Sequence, residues 1–201
     1  MATRPTRPAQ RARYDARRDD LVRGAARVFA ERGYDQTSIP ELAEALGLGT
    51  GSLYHYVPGK EQLLIAICDQ LMEPLLARVA ELDQPDPAAR LRALVRLWVA
   101  HVVEHRDHML VFQQERHVIE HGAQWKSVRT SRKRFDRLLE DLLGEAGVAD
   151  PQLAHWALLG MVNHTAQWFR PRGSRTPQEI ADGYVDLVLP PTPPSVRPAG
   201  P

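Results

Sequence analysis

The sequence predicts an all-α protein. Alternating β-branched runs bounded by Asn-Gly or Asp-Gly turns are missing. Apolar residues instead recur at spacings of three and four nearly everywhere, the period of a helix with one buried face. Proline and glycine breaks such as Pro58-Gly59 and Gln84-Pro85-Asp86-Pro87 divide this pattern into helix-length pieces. With 201 residues and 43% hydrophobic content, the chain can bury one full-sized core or a small helical module joined to a larger one. The second arrangement is expected.

Arg4, Arg7, Arg11, Arg13, Arg17 and Arg18 face a single acid, Asp15, before the first periodic stretch. Such an arm repels itself, so residues 1–16 are expected to be disordered. Leu21, Val22, Ala25, Val28 and Phe29 then mark one face of a first helix, which should end near Gly33. Ser38 restarts the helix: its hydroxyl can cap a backbone N–H while Glu41 reaches back, and Pro40 in the first turn loses no intrahelical bond. That helix stops at Gly47, and a short one runs from Thr50 to Tyr56. A long helix from about Lys60 to Leu82 carries Leu63, Leu64, Ile67, Leu71, Leu75 and Val79, with Pro74 as a point of kinking. Ala88 to about His105 follows, with Leu91, Leu94, Val95, Trp98 and Val102 on one face. Further helices are expected over Met109–Ile119, Trp125–Glu145, Pro151–Phe169 and Pro177–Leu189, and a proline-dense disordered tail over 190–201.

Two short helices across a tight turn form a helix-turn-helix, placed here in a unit spanning 17–64, with a second helical domain over 65–189. On the helix beginning at Thr50, residues 50, 51, 54 and 55 share one side while Leu53 and Tyr56 point toward the other. Hydroxyls of Thr50 and Ser52, the bare backbone of Gly51, and the Tyr54, His55 and Tyr56 side chains suit a helix seated in a DNA major groove. Lys60 opens the next helix at phosphate height. Three short helices at this spacing could also be ordinary packing, the less favoured reading.

The string Ala25-Ala26, Phe29-Ala30-Glu31-Arg32-Gly33-Tyr34, Thr37-Ser38, Leu42-Ala43, Gly47-Leu48, Gly51-Ser52-Leu53-Tyr54-His55-Tyr56 and Lys60-Glu61-Gln62-Leu63-Leu64 closely resembles the amino-terminal domain of TetR-family repressors. The resemblance implies a homodimer that places two recognition helices on a palindromic double-stranded operator. It also implies a carboxy-terminal domain that binds a small-molecule effector and thereby releases DNA. By position, Thr37, Tyr54, Tyr56 and Lys60 should hold phosphates, with Ser38 beside them, while Thr50, Gly51, Ser52 and His55 lie nearest base edges. Gly49 departs from the family, where Ser usually caps this helix; glycine caps adequately but offers no side-chain oxygen.

Gly160-Met161-Val162-Asn163-His164-Thr165-Ala166-Gln167-Trp168-Phe169-Arg170-Pro171, followed by Thr176-Pro177-Gln178-Glu179-Ile180-Ala181, resembles the helix pair of TetR-type regulators of fatty-acid, steroid and other acyl-CoA catabolism. The implied effector is an acyl-CoA, and no cofactor is implied. Phe169 stands where that branch more often has Tyr. An acyl-CoA needs an apolar tunnel and cations for its phosphates. Trp98, Val102, Met109, Phe112, Leu158, Met161 and Trp168 are candidates for the tunnel; Arg116, Arg129 and the rest of the run Lys126, Arg132, Lys133, Arg134, Arg137 are candidates for the cations. Asn163 and Gln167, one turn apart in an apolar helix, need partners in a ligand or a second subunit. By family analogy Trp156, Ala157, Gly160, Tyr184, Val185 and Leu189 pair across the two-fold axis. A hydrophobic drug remains an alternative effector, because Glu115 and Arg116 stand side by side.

His101, His105 and His108 recur at metal-ligand spacing, yet no Cys joins them on this amphipathic helix, and no metal site is expected. No Gly-x-Ser-x-Gly elbow, phosphate-cradling glycine loop or paired carboxylates facing a histidine argue for an enzyme. The net charge is only +1, so nucleic-acid affinity must come from local charge segregation. The single cysteine, Cys68, fits a reducing cytoplasm, and no apolar segment approaches the roughly twenty residues that span a membrane.

Overall fold

A computed structural model describes residues 7–189. Among them are ten α-helices, one 3-10 turn and no strand. The helices are α1 (Pro8–Arg32), α2 (Ile39–Ala45), α3 (Thr50–Tyr56), α4 (Lys60–Ala80), α5 (Pro87–Glu104), α6 (Arg106–Gln114), α7 (Arg116–Ile119), α8 (Lys126–Glu145), α9 (Pro151–Trp168) and α10 (Pro177–Val188). The 3-10 turn, Ala123–Trp125, precedes α8. The expected tail at 190–201 and residues 1–6 of the expected arm lie outside the described residues.

Local chemistry sets most boundaries. Ser38 and Thr176 each form a reciprocal capping box, with Glu41 and Glu179 respectively. Asp86 and Asp150 cap α5 and α9 by accepting from Ala89 and Leu153 N–H groups. Proline occupies the first turn of α1, α2, α5, α9 and α10, where its missing N–H loses nothing. Gly33 and Gly47 take positive φ, 87° and 64°, and end α1 and the α2 segment. Helix α4 continues through Pro74 to Ala80.

Two elements depart from the sequence reading. Residues 8–16 are not a disordered arm; they form the first two turns of α1, begun by Pro8. The expected helix over 109–119 is two helices, α6 and α7, interrupted at Glu115, and the break at His105 separates α6 from α5.

The side chains sort into two cores. One joins α4's second half to α5, α8, α9 and α10 around Trp98, Leu94, Phe135, Leu158 and Val162. The other holds α1–α3 on the first half of α4 through Phe29, Leu42, Leu53, Leu64 and Ile67. This second core includes Ala66, Ile67 and Cys68, past residue 64, and takes in Val111, Ile119, Trp125 and Val128 from the carboxy-terminal half. Cys68 is fully buried, and that burial pushes its thiol up, leaving it an inert packing residue. At Gly24 an added Cβ would meet Leu46 Cδ2 at 2.6 Å, so the Leu46 side chain, at the end of α2, rests directly on this glycine.

Helix α10 is clamped to α5 by charge. Arg96 grips Asp182 with two bonds, Nε at 2.7 Å and Nη2 at 2.8 Å, and Arg92 donates to Asp186 at 2.6 Å. The hydrogen bond from Arg96, more than any other influence, holds the Asp182 carboxyl below its usual range. A depressed acid contributes stability that is present above the unfolded-state pKa near 4 and lost as pH falls through the folded value. Asp182→Asn should therefore destabilise the protein by about 1 kcal/mol at pH 7, with the gap to wild type closing toward pH 3. Urea melts of both proteins at matched concentration across that range check this.

Candidate DNA-reading surface and effector cavity

Helix α3 presents one packed side and one open side. Leu53 is fully buried, and Val57 just beyond the helix is 1% exposed, which seats α3 beside α2 in the amino-terminal core. Thr50, Gly51, Ser52, Tyr54 and His55 are all exposed. Nothing lies within 4 Å of where a Gly51 Cβ would stand, so this glycine answers no packing need and leaves bare backbone facing outward. Gly49 caps the helix with extended backbone and no side-chain bond.

A residue the sequence reading passed over props this helix. Tyr14, in the segment expected to be disordered, donates its hydroxyl to the His55 carbonyl at 3.0 Å. That carbonyl is among the last four of α3, which lack intrahelical partners. The Tyr14 ring also packs on Tyr56, centroids 5.0 Å apart, and on His55 at 5.6 Å. Exposed Arg7, Arg11, Arg13 and Arg17 lie on the same two turns. A proline in the first turn and the lack of a break before Gly24 were the available signals.

Thr37 looks inward, and Ser38, though exposed, is committed to its own helix. Thr37 is 2% exposed and donates its hydroxyl to the Gly33 carbonyl at 2.7 Å, so it finishes α1 and is not a hand for phosphate. The Ser38 hydroxyl is engaged with Glu41, accepting from its N–H and donating to its carboxylate at 2.6 Å. Lys60 opens α4 with Nζ 4.2 Å above the Tyr34 ring, a cation–π contact that fixes the ammonium beside α3. Burial, with Glu61 nearby, pushes the Tyr34 phenol up to about 12.

A cavity of about 560 Å³ lies between α4, α5, α6, α8 and α9. Of the residues anticipated for the effector, it brings together Trp98, Met109, Phe112, Arg116 and Asn163. Met72, Leu75, Gln113, Arg132, Phe135, Asp136, His155, Trp156, Leu159, Gly160 and His164 join them. The others fall elsewhere. Val102 and Leu158 are fully buried in the core, and Met161 packs against that core. Gln167 donates to Gln113 at 3.2 Å on the surface, and Trp168 is 44% exposed. Arg129 is spent on the carbonyls of Ile119 and Gly122, where it closes the turn before α8. Within the basic run Arg132 reaches this cavity, whereas Arg134 and Arg137 line a second one of about 720 Å³ with Arg90.

The cavity wall carries one polar group whose need is unmet beside a chain of paired ones. Asn163 Oδ1 is buried with no partner among the described residues. His155 Nε2 stands 3.4 Å from Asp136, whose other oxygen is 3.7 Å from Arg132. An orphaned buried acceptor costs stability and is relieved when a ligand donates to it. Without ligand, Asn163→Leu should leave the melting temperature unchanged or raised by a few degrees; a fall beyond that of a typical core substitution would show that Asn163 is already satisfied.

The open face of α9 holds Trp156, Ala157 and Gly160, with Trp156 58% exposed. Of the α10 residues anticipated beside them, Val185 is turned inward, while Tyr184 and Leu189 stay half-buried. Val185 is fully buried inside the subunit, Leu189 packs against the core, and the Tyr184 hydroxyl meets Thr165 at 3.0 Å. Leu187, 74% exposed, and Gly183 occupy the outward side instead, in line with Leu153 at 59% on α9.

The three histidines divide. His101 donates from Nε2 to the Leu71 carbonyl at 2.7 Å, His105 from Nδ1 to the His101 carbonyl at 3.1 Å, and His108 to the Gln70 side chain at 3.1 Å. Burial lowers His101 and His108 to about 4, so both are neutral near pH 7. No described helix is long and apolar enough to cross a membrane.

This combination, an outward-facing reading helix on a small helical module with a cavity-bearing helical domain behind it, defines a one-component regulator. Comparison with known proteins agrees. Residues 21–67 match the family of bacterial regulatory proteins, tetR family, and residues 84–190 match the Tetracyclin repressor-like, C-terminal domain. The chain belongs to the TetR family of transcriptional regulators. It is 29% identical over 196 residues to the HTH-type transcriptional repressor KstR2 of Mycolicibacterium smegmatis, covering 92% of this chain and 93% of that protein. The solved structure of AibR in complex with isovaleryl coenzyme A and operator DNA superposes with a TM-score of 0.73 at 32% identity, covering 90% of this chain and all (100%) of AibR. The ketosteroid transcriptional regulator KstR2 of Mycobacterium tuberculosis gives a TM-score of 0.73 at 25% identity, covering 86% of this chain and 93% of that one.

Proposed function

We propose that the protein is a homodimeric repressor whose two α3 helices read a palindromic operator and whose affinity for it falls when an acyl-CoA occupies the α4–α9 cavity. The observation that carries the effector class is the cavity's lining. Its volume of about 560 Å³ is of ligand size, its walls are Trp98, Phe112, Phe135, Met72 and Leu75, and Arg116 and Arg132 stand on it as cations. An acyl chain with its pantetheine fills such a space, while phosphates meet guanidinium groups in the bidentate geometry they favour. AibR, similar over its whole length, is seen with isovaleryl coenzyme A and operator DNA, which supports the same pairing here.

On DNA, Thr50, Gly51, Ser52 and His55 face base edges while Tyr54, Tyr56 and Lys60 position the backbone. The arginines of α1's first turns extend the phosphate track, held there by Tyr14. The apolar face of Leu153, Trp156 and Leu187, with small Ala157, Gly160 and Gly183 beside it, pairs with its copy across a two-fold axis. Helix α4 belongs to both cores, so it transmits a shift at Met72 or Leu75 to the separation of the recognition helices. Membership of a family of transcriptional regulators supports a regulatory role over a catalytic one.

Lys60→Ala should flatten the dependence of log affinity on log salt by about one unit per subunit, on every sequence alike. Tyr14→Phe should instead weaken operator binding about fivefold, the worth of one hydrogen bond, and leave that slope as it is. Fluorescence anisotropy against salt separates the two.

Isovaleryl-CoA should lower operator affinity at least about tenfold, and Arg116→Ala with Arg132→Ala should abolish the response without changing operator binding in its absence. Titrating isovaleryl-CoA, CoA alone and a hydrophobic cation against the protein–operator complex decides the effector class. Release by the cation alone would assign the cavity to drug-like ligands.

A further inference from the structure

The break between α6 and α7 buries a carboxylate with one oxygen unpaired. Glu115 is 7% exposed, and its Oε2 has no hydrogen-bond partner among the described residues. Across from it stands Asp35, in the turn between α1 and α2, and beside it His117 in α7. One carboxylate oxygen from each acid and one ring nitrogen of His117 all lie within 4.8 Å of one another. The Tyr34 backbone N–H and the more distant Lys60 are the remaining polar neighbours, while Arg116 turns away to Glu120 at 2.8 Å. Burying a carboxylate next to another with no bound cation is costly, and the fold holds both there.

We propose that Asp35, Glu115 and His117 form a site for a divalent transition-metal cation that ties the DNA-reading half to the α6–α7 break. Two carboxylate oxygens and a neutral imidazole cancel the ion's charge and match the ligand types of zinc, with water completing the shell from the exposed side. Tetrahedral zinc at its usual bond lengths brings ligand atoms to about 3.5 Å, a closure of roughly 1 Å that exposed Asp35 and His117 side chains supply by rotation. The other cluster of ligating side chains, His101, Glu104 and His105, fits less well. Its two imidazoles stack with centroids 4.1 Å apart and planes 28° from parallel, and each already gives one ring nitrogen to a backbone carbonyl, of Leu71 and of His101.

The site adds a tie to a seam that also holds apolar packing, the Gln70 bonds to Asp19 and His108, and the Gln124–Glu61 bond of 2.7 Å. Arg116, between Glu115 and His117 in sequence, lines the effector cavity, so the ion and the effector act on the same hinge. That last link rests on the effector reading; the metal site does not.

The test uses the full-length protein, stripped with a chelator, and zinc alone as the probe. Calorimetry should show one zinc per subunit, with a rise in melting temperature on binding. Glu115→Gln and His117→Ala should each weaken zinc about tenfold or more, while His105→Ala leaves it unchanged. Without metal, Glu115→Gln should be at least as stable as wild type, because it removes the buried anion, and zinc should no longer raise its melting temperature. Absence of a zinc-dependent rise in wild type, equal zinc affinity in His117→Ala, or loss of binding in His105→Ala would each overturn the assignment. Neither DNA nor CoA enters the assay, so its failure is distinct from failure of the effector reading.

Discussion

The structure turns on the seam where its two hydrophobic cores share helix α4. Val111, Ile119, Trp125 and Val128, all from the carboxy-terminal half, are buried with Phe29, Leu64 and Ile67 of the amino-terminal half. The small module has a correspondingly small core, and these four residues add to it. Because interiors are close-packed, a displacement of α6 or the start of α8 cannot be absorbed silently; it must move α1 and α4 with it. Regulation in this molecule therefore needs no separate linker. The same burial that stabilises the reading module makes it answer to the domain behind it.

Gln70 shows how closely the seam is stitched with polar groups as well. From α4 it donates to Asp19 of α1 at 3.2 Å and accepts from His108 of α6 at 3.1 Å, so one side chain spans three helices. Burial keeps His108 neutral near pH 7, and a neutral imidazole with Nε2 as donor is what this chain of bonds requires. Charging it would place an unpaired cation in the seam.

What the sequence disclosed follows the range of the interactions involved. The capping box at Ser38, the ends at Gly33 and Gly47, and the inward Leu53 of α3 are decided within a few residues, and pattern reading finds them. The first turns of α1 were misjudged because only the repulsion among arginines was counted. Ala, Gln and Arg are strong helix formers, and Tyr14 adds an anchor 41 residues away in sequence that composition cannot announce. Thr37, Arg129 and Val185 were misread for a related reason: a hydroxyl, a guanidinium or a Val on a helix carries no mark of which neighbour it faces. Five of the anticipated cavity residues do converge, since apolar periodicity identifies inward faces; it does not separate residues that line a void from residues that fill the core beside it.

Trp156 and Gly160 belong both to the cavity lining and to the open apolar face of α9. If that face is covered by a second copy, one side of the cavity is walled by the dimer, and the two sites cease to be independent. A ligand that pushes on Trp156 then presses on the partner directly, while one that draws Phe112 and Arg116 inward acts on the subunit's own reading module. Reciprocity of linked equilibria requires that operator binding, dimer geometry and ligand affinity all change together. The magnitude of the coupling is set by how differently the two dimer arrangements close over the cavity, not by how tightly the ligand is held in either one.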